Sequence, residues 1–397
     1  AIESREILQT QEFGVYEEVS SLKKTLSWGP VGTEAVLATL IPEKDSLFFG
    51  KMDVLVARQQ YRQFENLLAQ KGCEVIRVKD LAVWELLQNG GVMPASNLQE
   101  LHNKITQKAS KLVDRFGKGQ SSTLDQIMDI LIEDANEYGE EGAIRLNSIL
   151  SETETNLLPM CNLLFGRDQS NVVGNVIVWS KMSKEIRDPE VNLWKFSLKE
   201  YLKNQKGVEV TGEGRLEGGD TIIHNGDCLI GVGGRTNEIG VMQIAPEIYK
   251  QGLNVYAIYH PERASGNMEH QTTMHLDTFY MPAPKNTCVV LLEEAKSRQV
   301  IQVKGKNSNL DGQGITSFEN YLKETGTDII PISREQQLNY QANFVVLDKN
   351  TVLVTTKDNY LRGEFEKRGI TVIDGNLEEI TQGYGGAHCS LTPILRD

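Results

Sequence analysis

KQGLNVYAIY, residues 250–259, joins the end of an apparent helix to an apolar strand through Gly252. A glycine fits the left-handed position that closes a helix, where a side chain would be strained. The Val- and Ile-rich run behind it is typical of a β-strand. The same pattern recurs around four more glycines, in AQKGCEVIRV (69–78, Gly72), KNQKGVEVTG (203–212, Gly207), KETGTDIIPI (323–332, Gly326) and KRGITVIDG (367–375, Gly369).

Strand pairs precede several of these helices. DTIIHNGDCLIGVG, residues 220–233, has an Asn-Gly turn between two apolar runs, which strongly favours a β-hairpin. NFVVLDKNTVLVTT, residues 343–356, shows the same pattern around 348–350. The repeating unit is therefore predicted to be strand, strand, helix, strand. The five glycines are 135, 45, 74 and 43 residues apart, and units of roughly 45 residues favour radial stacking over a doubly wound sheet.

The spacing between Gly72 and Gly207 is the longest of the four, and much of its extra length lies between about residues 81 and 150. SNLQELHNKITQKASKLVDRF (96–116) and STLDQIMDILIEDANEYG (122–139) place apolar residues at helical spacing. Nothing in this segment is typical of a catalytic site. We therefore predict a helical bundle at 81–150, inserted within a single catalytic domain that spans 1–397.

Composition limits the partners. The formal charge is −13, with 41 basic and 54 acidic residues, which argues against nucleic acid or an anionic membrane surface as partner. No apolar stretch approaches 18 residues, and residues 1–10 lack the pattern of a signal peptide. Five widely spaced cysteines without a CxxC motif indicate a reducing compartment. We expect a cytoplasmic protein, and the charge and the apolar insertion are compatible with a homodimer.

Four short stretches place ionisable groups in apolar or glycine-rich surroundings, where such groups are unfavourable unless they are paired or used. Taken singly, each has an ordinary explanation: a local ion pair, a turn before a hairpin, a core histidine, or a small core cysteine. Taken together, they would converge where the repeats meet at a central axis. The stretches are NLLFGRDQS (162–170), RLEGGDTII (215–223), MHLDTFYMP (274–282) and GGAHCSLTP (385–393).

These residue types suit the chemistry of a guanidinium group. His275 and Asp277 are two residues apart and would share one face of a strand. The carboxylates of Asp168, Glu217 and Asp277 need compensation, and a guanidinium offers a planar fork of donors that matches them. A Cys389 thiolate beside that cation could attack its central carbon, while His275 moves protons. Without HExxH, CxxC or a close pair of histidines, we expect no metal and no cofactor.

FGRD, EGGD, MHLDT and a C-terminal cysteine, in this order, resemble the arginine deiminases of the guanidine-modifying (pentein) superfamily. The resemblance extends over nearly the whole chain, since it includes GVYEEVSSLKKTLSWGP (14–30) and the helical segment. It implies a five-bladed α/β propeller, the pentein fold, built of pseudo-fivefold ββαβ units with an inserted helical bundle. It also implies a small-molecule guanidinium substrate, most simply L-arginine, hydrolysed to L-citrulline and ammonia through a covalent amidino-thioether.

The resemblance assigns a catalytic role to five residues. Cys389 would be the nucleophile and His275 the general acid and base. Glu217 would hold His275 and one guanidinium nitrogen. Asp168 and Asp277 would each clamp the guanidinium bidentately.

The resemblance also assigns substrate-binding residues. Arg235, in GGRT, would meet the substrate carboxylate, and Asn162 and Phe165 would line the pocket. In KMSKEIRDPE (181–190), a second carboxylate-binding arginine aligns nearest to Ile186, so Arg187 would serve if the register moves by one residue. His388 stands where the family usually has an arginine, and we count it as a substrate-binding candidate.

Several alternatives share this pattern. An amidinotransferase uses the same first half-reaction and differs in whether water or an amine meets the intermediate. A dihydrolase would release two ammonia molecules and form ornithine, and a deiminase could act on another guanidino compound. A binding protein of pentein fold that has lost turnover is the non-enzyme alternative.

Overall fold

The computed structural model describes residues 12–48, 52–89, 93–116, 124–151, 158–261, 273–303 and 316–397. Residues 1–10, which bear on the expected absence of a signal peptide, lie outside these ranges, as do parts of the predicted insertion. Within the described ranges, no helix has both the length and the apolar character needed to cross a bilayer.

The described chain contains both helices and strands throughout. The strands are β1 Leu22–Ser27, β2 Glu74–Arg77, β3 Ser170–Val173, β4 Val176–Trp179, β5 Lys206–Glu209, β6 Thr221–His224, β7 Asp227–Val232, β8 Asn254–Tyr259, β9 Tyr280–Ala283, β10 Thr287–Val290, β11 Gln299–Val303, β12 Thr316–Ser317, β13 Asp328–Pro331, β14 Val345–Asp348, β15 Thr351–Val354, β16 Thr371–Asp374 and β17 Leu391–Arg396. The α-helices are Thr33–Ala38, Glu43–Ser46, Val54–Gln70, Val78–Asn89, Leu98–Phe116, Gln126–Ser151, Gly166–Gln169, Asp188–Leu198, Glu238–Tyr249, Leu292–Ser297, Phe318–Glu324, Arg334–Leu338 and Asn359–Lys367.

These strands form five sheets among the described residues. Their strand orders are β17-β1-β2, β3-β4-β5, β12-β11-β8-β7-β6, β13-β10-β9 and β14-β15-β16. Each sheet contains an antiparallel pair and a parallel third strand, which the chain reaches after a helix. The predicted strand–strand–helix–strand order is found without interruption for β3-β4-β5, β6-β7-β8 and β14-β15-β16. Between β10 and β13 the chain also forms β11 and β12, which belong to another sheet. The protein is a mixed α/β protein.

The first sheet joins the two ends of the described chain. Its outer strand is β17, which pairs antiparallel with β1 so that Leu26 lies opposite Thr392. On the other side, β1 pairs in parallel with β2, and Leu26 lies opposite Ile76. The sheet of the first repeat therefore includes β17, from the other end of the described chain, which the sequence repeat alone does not indicate.

The turn residues confirm most of the predicted repeat. Asn225 and Gly226, between β6 and β7, have φ angles of 53° and 80°, as a tight hairpin turn requires. The glycines predicted to close helices also have positive φ in four of the five units, at Gly72, Gly252, Gly326 and Gly369.

The prediction for Gly207 is wrong. This residue lies inside β5 and is absent from the positive-φ glycines of the described chain. The preceding helix ends at Leu198, so the chain has already turned before Gly207. A Cβ at this position would lie 3.1 Å from Trp179 Nε1, and the glycine therefore serves close packing of neighbouring strands.

Helices cover most of the segment predicted as an insertion. They are Val78–Asn89, Leu98–Phe116 and Gln126–Ser151, the last interrupted at Gly139. Leu101 and Ile105 belong to the same buried hydrophobic cluster as Phe165 and Cys389, so this layer packs behind the candidate site. That the segment is an insertion within one catalytic domain stays a prediction.

Candidate active site

The five candidate catalytic residues lie in the segments that lead into hairpin strands of four different sheets. Asp168 and Cys389 each stand two residues before a strand, β3 and β17. Glu217 lies shortly before β6, and His275 and Asp277 shortly before β9. All five residues are at most 2% exposed. Burial of this many ionisable groups indicates that they are paired with one another.

His275 lies between two carboxylates. Its Nε2 is 2.8 Å from Glu217 Oε2, and its Nδ1 is 3.6 Å from Asp168 Oδ1. Burial alone would lower the pKa of this imidazole, but the neighbouring carboxylates raise it to about 10. The imidazole therefore carries a proton at neutral pH and can act as a general acid.

Two glycines allow this close approach. A Cβ at Gly219 would lie 2.7 Å from His275 Nδ1, and one at Gly218 would overlap the main-chain oxygen of Arg167. The Gly219 amide also donates to Asp168 Oδ1 at 3.2 Å. Gly219 is therefore required by packing against the histidine, and Gly218 by packing against the Arg167 main chain.

Two arginines neutralise the carboxylates on this side of the site. Arg187 Nη1 donates to Asp168 Oδ2 at 2.7 Å, and its Nε donates to Glu190 Oε2 at 2.9 Å. Arg235 Nη1 donates to Glu217 Oε2 at 3.2 Å. Burial would raise the pKa of Glu217, but Arg235, His275 and Arg187 hold it below its usual range.

The structure also resolves the register of the second predicted arginine. Arg187 points into the site, whereas Ile186 packs partly buried against the hydrophobic cluster. Both candidate carboxylate-binding arginines, Arg187 and Arg235, are paired with protein carboxylates in this structure.

Asn162 and Phe165 frame the same region. Asn162 donates from Nδ2 to the Ser46 main-chain oxygen at 3.1 Å, and its own main-chain oxygen accepts from Arg187. Phe165 is 3% exposed, and a Cβ at Gly385 would overlap its ring. Gly385 therefore lets the C-terminal loop lie against this aromatic side chain.

Cys389, Asp277 and His388 form the other half of the site. Asp277 Oδ2 lies 3.4 Å from Cys389 Sγ and accepts a hydrogen bond from His388 Nδ1 at 2.8 Å. Asp277 Oδ1 is buried and has no hydrogen-bond partner in the described part of the chain. Buried carboxylate oxygens are normally satisfied, so Oδ1 is an acceptor open to a donor from a ligand.

The thiol is neutral in this arrangement. Burial raises the pKa of Cys389 well above its ordinary value, and the negative charges of Asp277 and Asp168 add to the effect. Burial also opposes ionisation of Asp277, but the hydrogen bond and charge of His388 hold the pKa of that carboxyl below its usual range. The site is therefore arranged to receive positive charge beside the sulfur.

We expect alkylation of Cys389 by iodoacetamide to become faster over the whole range from about pH 7 to pH 9, without a plateau. The reason is that only the thiolate reacts and the thiol stays protonated over this range. Peptide mass mapping of samples quenched at each pH would give the rate at this residue alone. A plateau below about pH 8 would contradict the raised pKa.

Glu18, in the N-terminal segment, supports His388 from behind. Its Oε1 lies 3.4 Å from His388 Nε2, 3.4 Å from Arg167 Nη2 and 3.1 Å from Arg396 Nη2. Burial alone would raise the pKa of the Glu18 carboxyl, but the two guanidinium groups and the imidazole hold it well below its usual range. Glu18 therefore joins the first and last segments of the chain behind the cysteine.

Glu18→Gln is expected to lower the free energy of unfolding by about 3–5 kcal/mol, because two guanidinium groups would be left buried without their counter-charge. Urea denaturation followed by circular dichroism would measure it. Glu366→Gln is the matched control, since its pair with Arg362 is largely exposed and should contribute less than about 1 kcal/mol. Equal losses in the free energy of unfolding for the two substitutions would contradict the stabilising role of Glu18.

The strand geometry predicted for MHLDT is wrong. Residues Leu276–Thr278 form a 3-10 turn, and β9 begins only at Tyr280. His275 consequently reaches Glu217 and Asp168, whereas Asp277 reaches His388 and the cysteine. The turn is held by Asp220, whose Oδ1 accepts from the Leu276 amide at 3.0 Å, and burial raises the pKa of Asp220 to about 7.

Ligand atoms of Asp168, Glu217 and His275 lie within 4.8 Å of one another, close enough for a metal ion. The Arg187 guanidinium already supplies positive charge here, 2.7 Å from Asp168 and 3.9 Å from Glu217. His275 would also have to lose a proton that its surroundings retain. The donor set therefore suits an organic cation better than a metal.

Three contact residues were missed by the sequence analysis. Asn343 contacts the cysteine, and it stands two residues before β14, which is the position that Asp168 and Cys389 hold before their own strands. The repeat register could have indicated it. Glu190 follows Arg187 by three residues, on the next helical turn, which is a weaker signal. Glu18 gives no such signal.

Sequence comparison identifies relatives along most of the chain. Residues 45–396 match the model of the family described as Arginine deiminase. An arginine deiminase of Borrelia duttonii is 26% identical over an alignment of 409 positions, gaps included. The alignment covers 96% of this chain and 98% of the relative. An arginine deiminase of Streptococcus agalactiae is 23% identical, covering 98% of this chain and 99% of the relative.

Solved structures share the fold at lower identity. A dimethylarginine dimethylaminohydrolase mutant from Pseudomonas aeruginosa, in complex with citrulline, has a TM-score of 0.56 at 13% identity, covering 94% of this chain and 100% of its own. An amidinotransferase of saxitoxin biosynthesis from Microseira wollei also has a TM-score of 0.56, at 15% identity and 97% coverage of both chains. These neighbours show that the chain shares their fold. With the family model spanning most of its length, this chain belongs to the arginine deiminase family.

Proposed function

We propose that this protein hydrolyses a guanidinium compound, most simply L-arginine to L-citrulline and ammonia, with Cys389 as nucleophile. The observation that carries the proposal is the contact of the Cys389 sulfur with Asp277, beside the buried cluster of His275, Glu217 and Asp168. Membership of the arginine deiminase family supports the same chemistry.

The first step is binding of the substrate cation. Asp277 Oδ1, which has no hydrogen-bond partner among the residues that the structure describes, accepts one guanidinium N–H. Asp168 has both oxygens engaged, by Arg187 and the Gly219 amide, but a carboxylate oxygen has room for a second donor. The positive charge between these carboxylates offsets the charges that raise the pKa of Cys389, so the thiol releases its proton to solvent water as the substrate binds.

The thiolate then attacks the central carbon of the guanidinium. His275, protonated in the resting site, gives its proton to the departing nitrogen, and ammonia leaves as the tetrahedral adduct collapses. The product of this half-reaction is an amidino group bonded to Cys389 Sγ. Glu217 keeps the imidazole oriented through its 2.8 Å contact with Nε2.

Water completes the reaction. The histidine, now neutral, takes a proton from the water molecule that attacks the amidino carbon. Collapse of the second adduct breaks the carbon–sulfur bond and releases the ureido product. The proton of the adduct hydroxyl passes through water to the departing sulfur, which restores the thiol of the resting site. The same two groups therefore act in both half-reactions, in opposite protonation states.

We also propose that the five sheets surround a common axis as a five-bladed propeller within one domain of residues 1–397. The shared order of strands in the sheets and the pairing of β17 with β1 support this arrangement. The cytoplasmic location and the homodimer stay predictions.

Product analysis tests the proposed reaction. Incubation with L-arginine should give a product in which one NH is replaced by O, with one ammonia released per turnover. Ornithine with two ammonia molecules would indicate the dihydrolase, and turnover that requires an added amine would indicate the transferase. Parallel assays with agmatine test whether the α-carboxylate is needed. No turnover with arginine, agmatine or small guanidino acids would overturn the proposal.

A further inference from the structure

The sheet β14-β15-β16 contributes a contact to the site that the family resemblance did not assign. Asn343 stands two residues before β14 and is fully buried. Its side-chain amide reaches across to the loop of Cys389 and to the turn of Asp277. It therefore touches both members of the thiol–carboxylate pair described above.

The orientation of this amide is fixed by main-chain groups. Asn343 Oδ1 accepts from the Cys389 amide at 3.1 Å, and Nδ2 donates to the Asp277 main-chain oxygen at 3.0 Å. A main-chain N–H can only donate and a carbonyl oxygen can only accept, so exchanging oxygen and nitrogen would break both bonds. Nδ2 is consequently the atom that faces Cys389 Sγ, at 3.1 Å.

The Asn343 hydrogen bond and the Asp277 carboxylate have opposite effects on the pKa of Cys389. The carboxylate, 3.4 Å from the sulfur, accepts from a thiol but repels a thiolate. The Asn343 N–H donates to the sulfur in either state, and a hydrogen bond to a charged acceptor is stronger than one to a neutral acceptor. The Asn343 hydrogen bond accordingly lowers the pKa of Cys389, against the larger effects of burial and of Asp277 and Asp168.

We propose that Asn343 is a catalytic residue that donates a hydrogen bond to the Cys389 thiolate. The proposal rests on the proposed function only in taking Cys389 as the nucleophile. Because this donor does not depend on substrate, it acts before binding, during attack, and again when the thiolate leaves. Loss of one hydrogen bond to a charged group reduces the thiolate fraction at a fixed pH by about 10-fold to 100-fold.

Alkylation of Cys389 tests the proposal without any substrate. Below the pKa of the thiol, the rate with iodoacetamide at one pH is proportional to the thiolate fraction. Peptide mapping would follow Cys389 and, in the same sample, Cys228, a buried thiol in β7 whose pKa burial also raises. The ratio of the two rates corrects for general opening of the structure.

Asn343→Asp keeps the shape of the side chain, removes the donor and adds a repelling charge, so we expect the ratio to fall at least about 10-fold. Asn343→Ala removes the donor without a charge and should lower the ratio in the same direction. A ratio within twofold of the unsubstituted protein in the alanine variant would overturn the proposal.

Asn147→Asp is the matched control. It places a carboxylate beside Asp134 in another fully buried amide site, distant in sequence and contacts from the cysteine. The Asn147→Asp substitution should destabilise the protein but leave the ratio of the Cys389 and Cys228 alkylation rates unchanged. Failure of the proposed function is distinguishable, since arginine turnover would then be absent while the alkylation ratio still responds to Asn343.

Discussion

Replacing Cys389 by serine is expected to lower kcat for guanidinium hydrolysis by at least about 10^4-fold. The replacement keeps the size of the side chain and its place beside Asp277 and Asn343. A hydroxyl is a far weaker acid than a thiol, so the bound cation cannot generate an appreciable alkoxide. Ammonia release measured under saturating substrate would give the loss directly.

Cys73→Ser is the control for this substitution. Cys73 is buried, and its sulfur donates a hydrogen bond to the Glu74 main-chain oxygen, an acceptor that a hydroxyl can also use. Turnover by the Cys73→Ser variant should stay near that of the unsubstituted protein. Comparable turnover by the Cys389→Ser and Cys73→Ser variants would show that Cys389 is not the nucleophile.

His275→Asn is expected to lower kcat by about 10^2-fold to 10^4-fold, because both half-reactions would lose their proton carrier. The pH profile should change as well, since the unsubstituted site keeps the imidazole protonated at neutral pH. Steady-state kinetics from about pH 6 to pH 9 would measure both effects. A variant with an unchanged pH profile would show that another group moves the protons.

The same substitution has a predicted effect on stability with a definite sign. The pKa of His275 is raised from 6.5 to about 10, so its protonated form stabilises the fold fully below about pH 6.5. This contribution falls as the pH rises and is lost above about pH 10. The difference in free energy of unfolding between the protein and His275→Asn should therefore shrink across that interval. A constant difference would contradict the raised pKa.

Local sequence signals predicted the repeating parts of the fold well. The Asn-Gly turn and four left-handed glycines depend on backbone conformations that few other residues adopt, so their positions are visible in the sequence. Gly207 was misassigned because a glycine can also serve close packing, and only the Trp179 ring reveals that role. The pairing of β17 with β1 depends on contacts between the chain ends, which no local pattern reports.

The site was predictable where residue types carry chemistry. The thiol, the histidine and the three carboxylates were found because such groups are unfavourable in apolar surroundings unless used. Asn343 was missed because an uncharged amide before a strand has many ordinary roles. His388 holds the Asp277 carboxylate and lies against Glu18, and its predicted contact with substrate stays a prediction. Such indirect roles are set by tertiary contacts that spacing along the chain does not reveal.

The proposed mechanism requires a covalent bond between substrate and Cys389, which mass spectrometry of acid-quenched protein would detect. After brief incubation with L-arginine, we expect a population heavier by the mass of arginine less ammonia, with the added mass on the peptide that contains Cys389. The adduct should be absent from Cys389→Ala. Citrulline formation at full rate by the Cys389→Ala variant, or an adduct on another cysteine, would contradict the proposed mechanism.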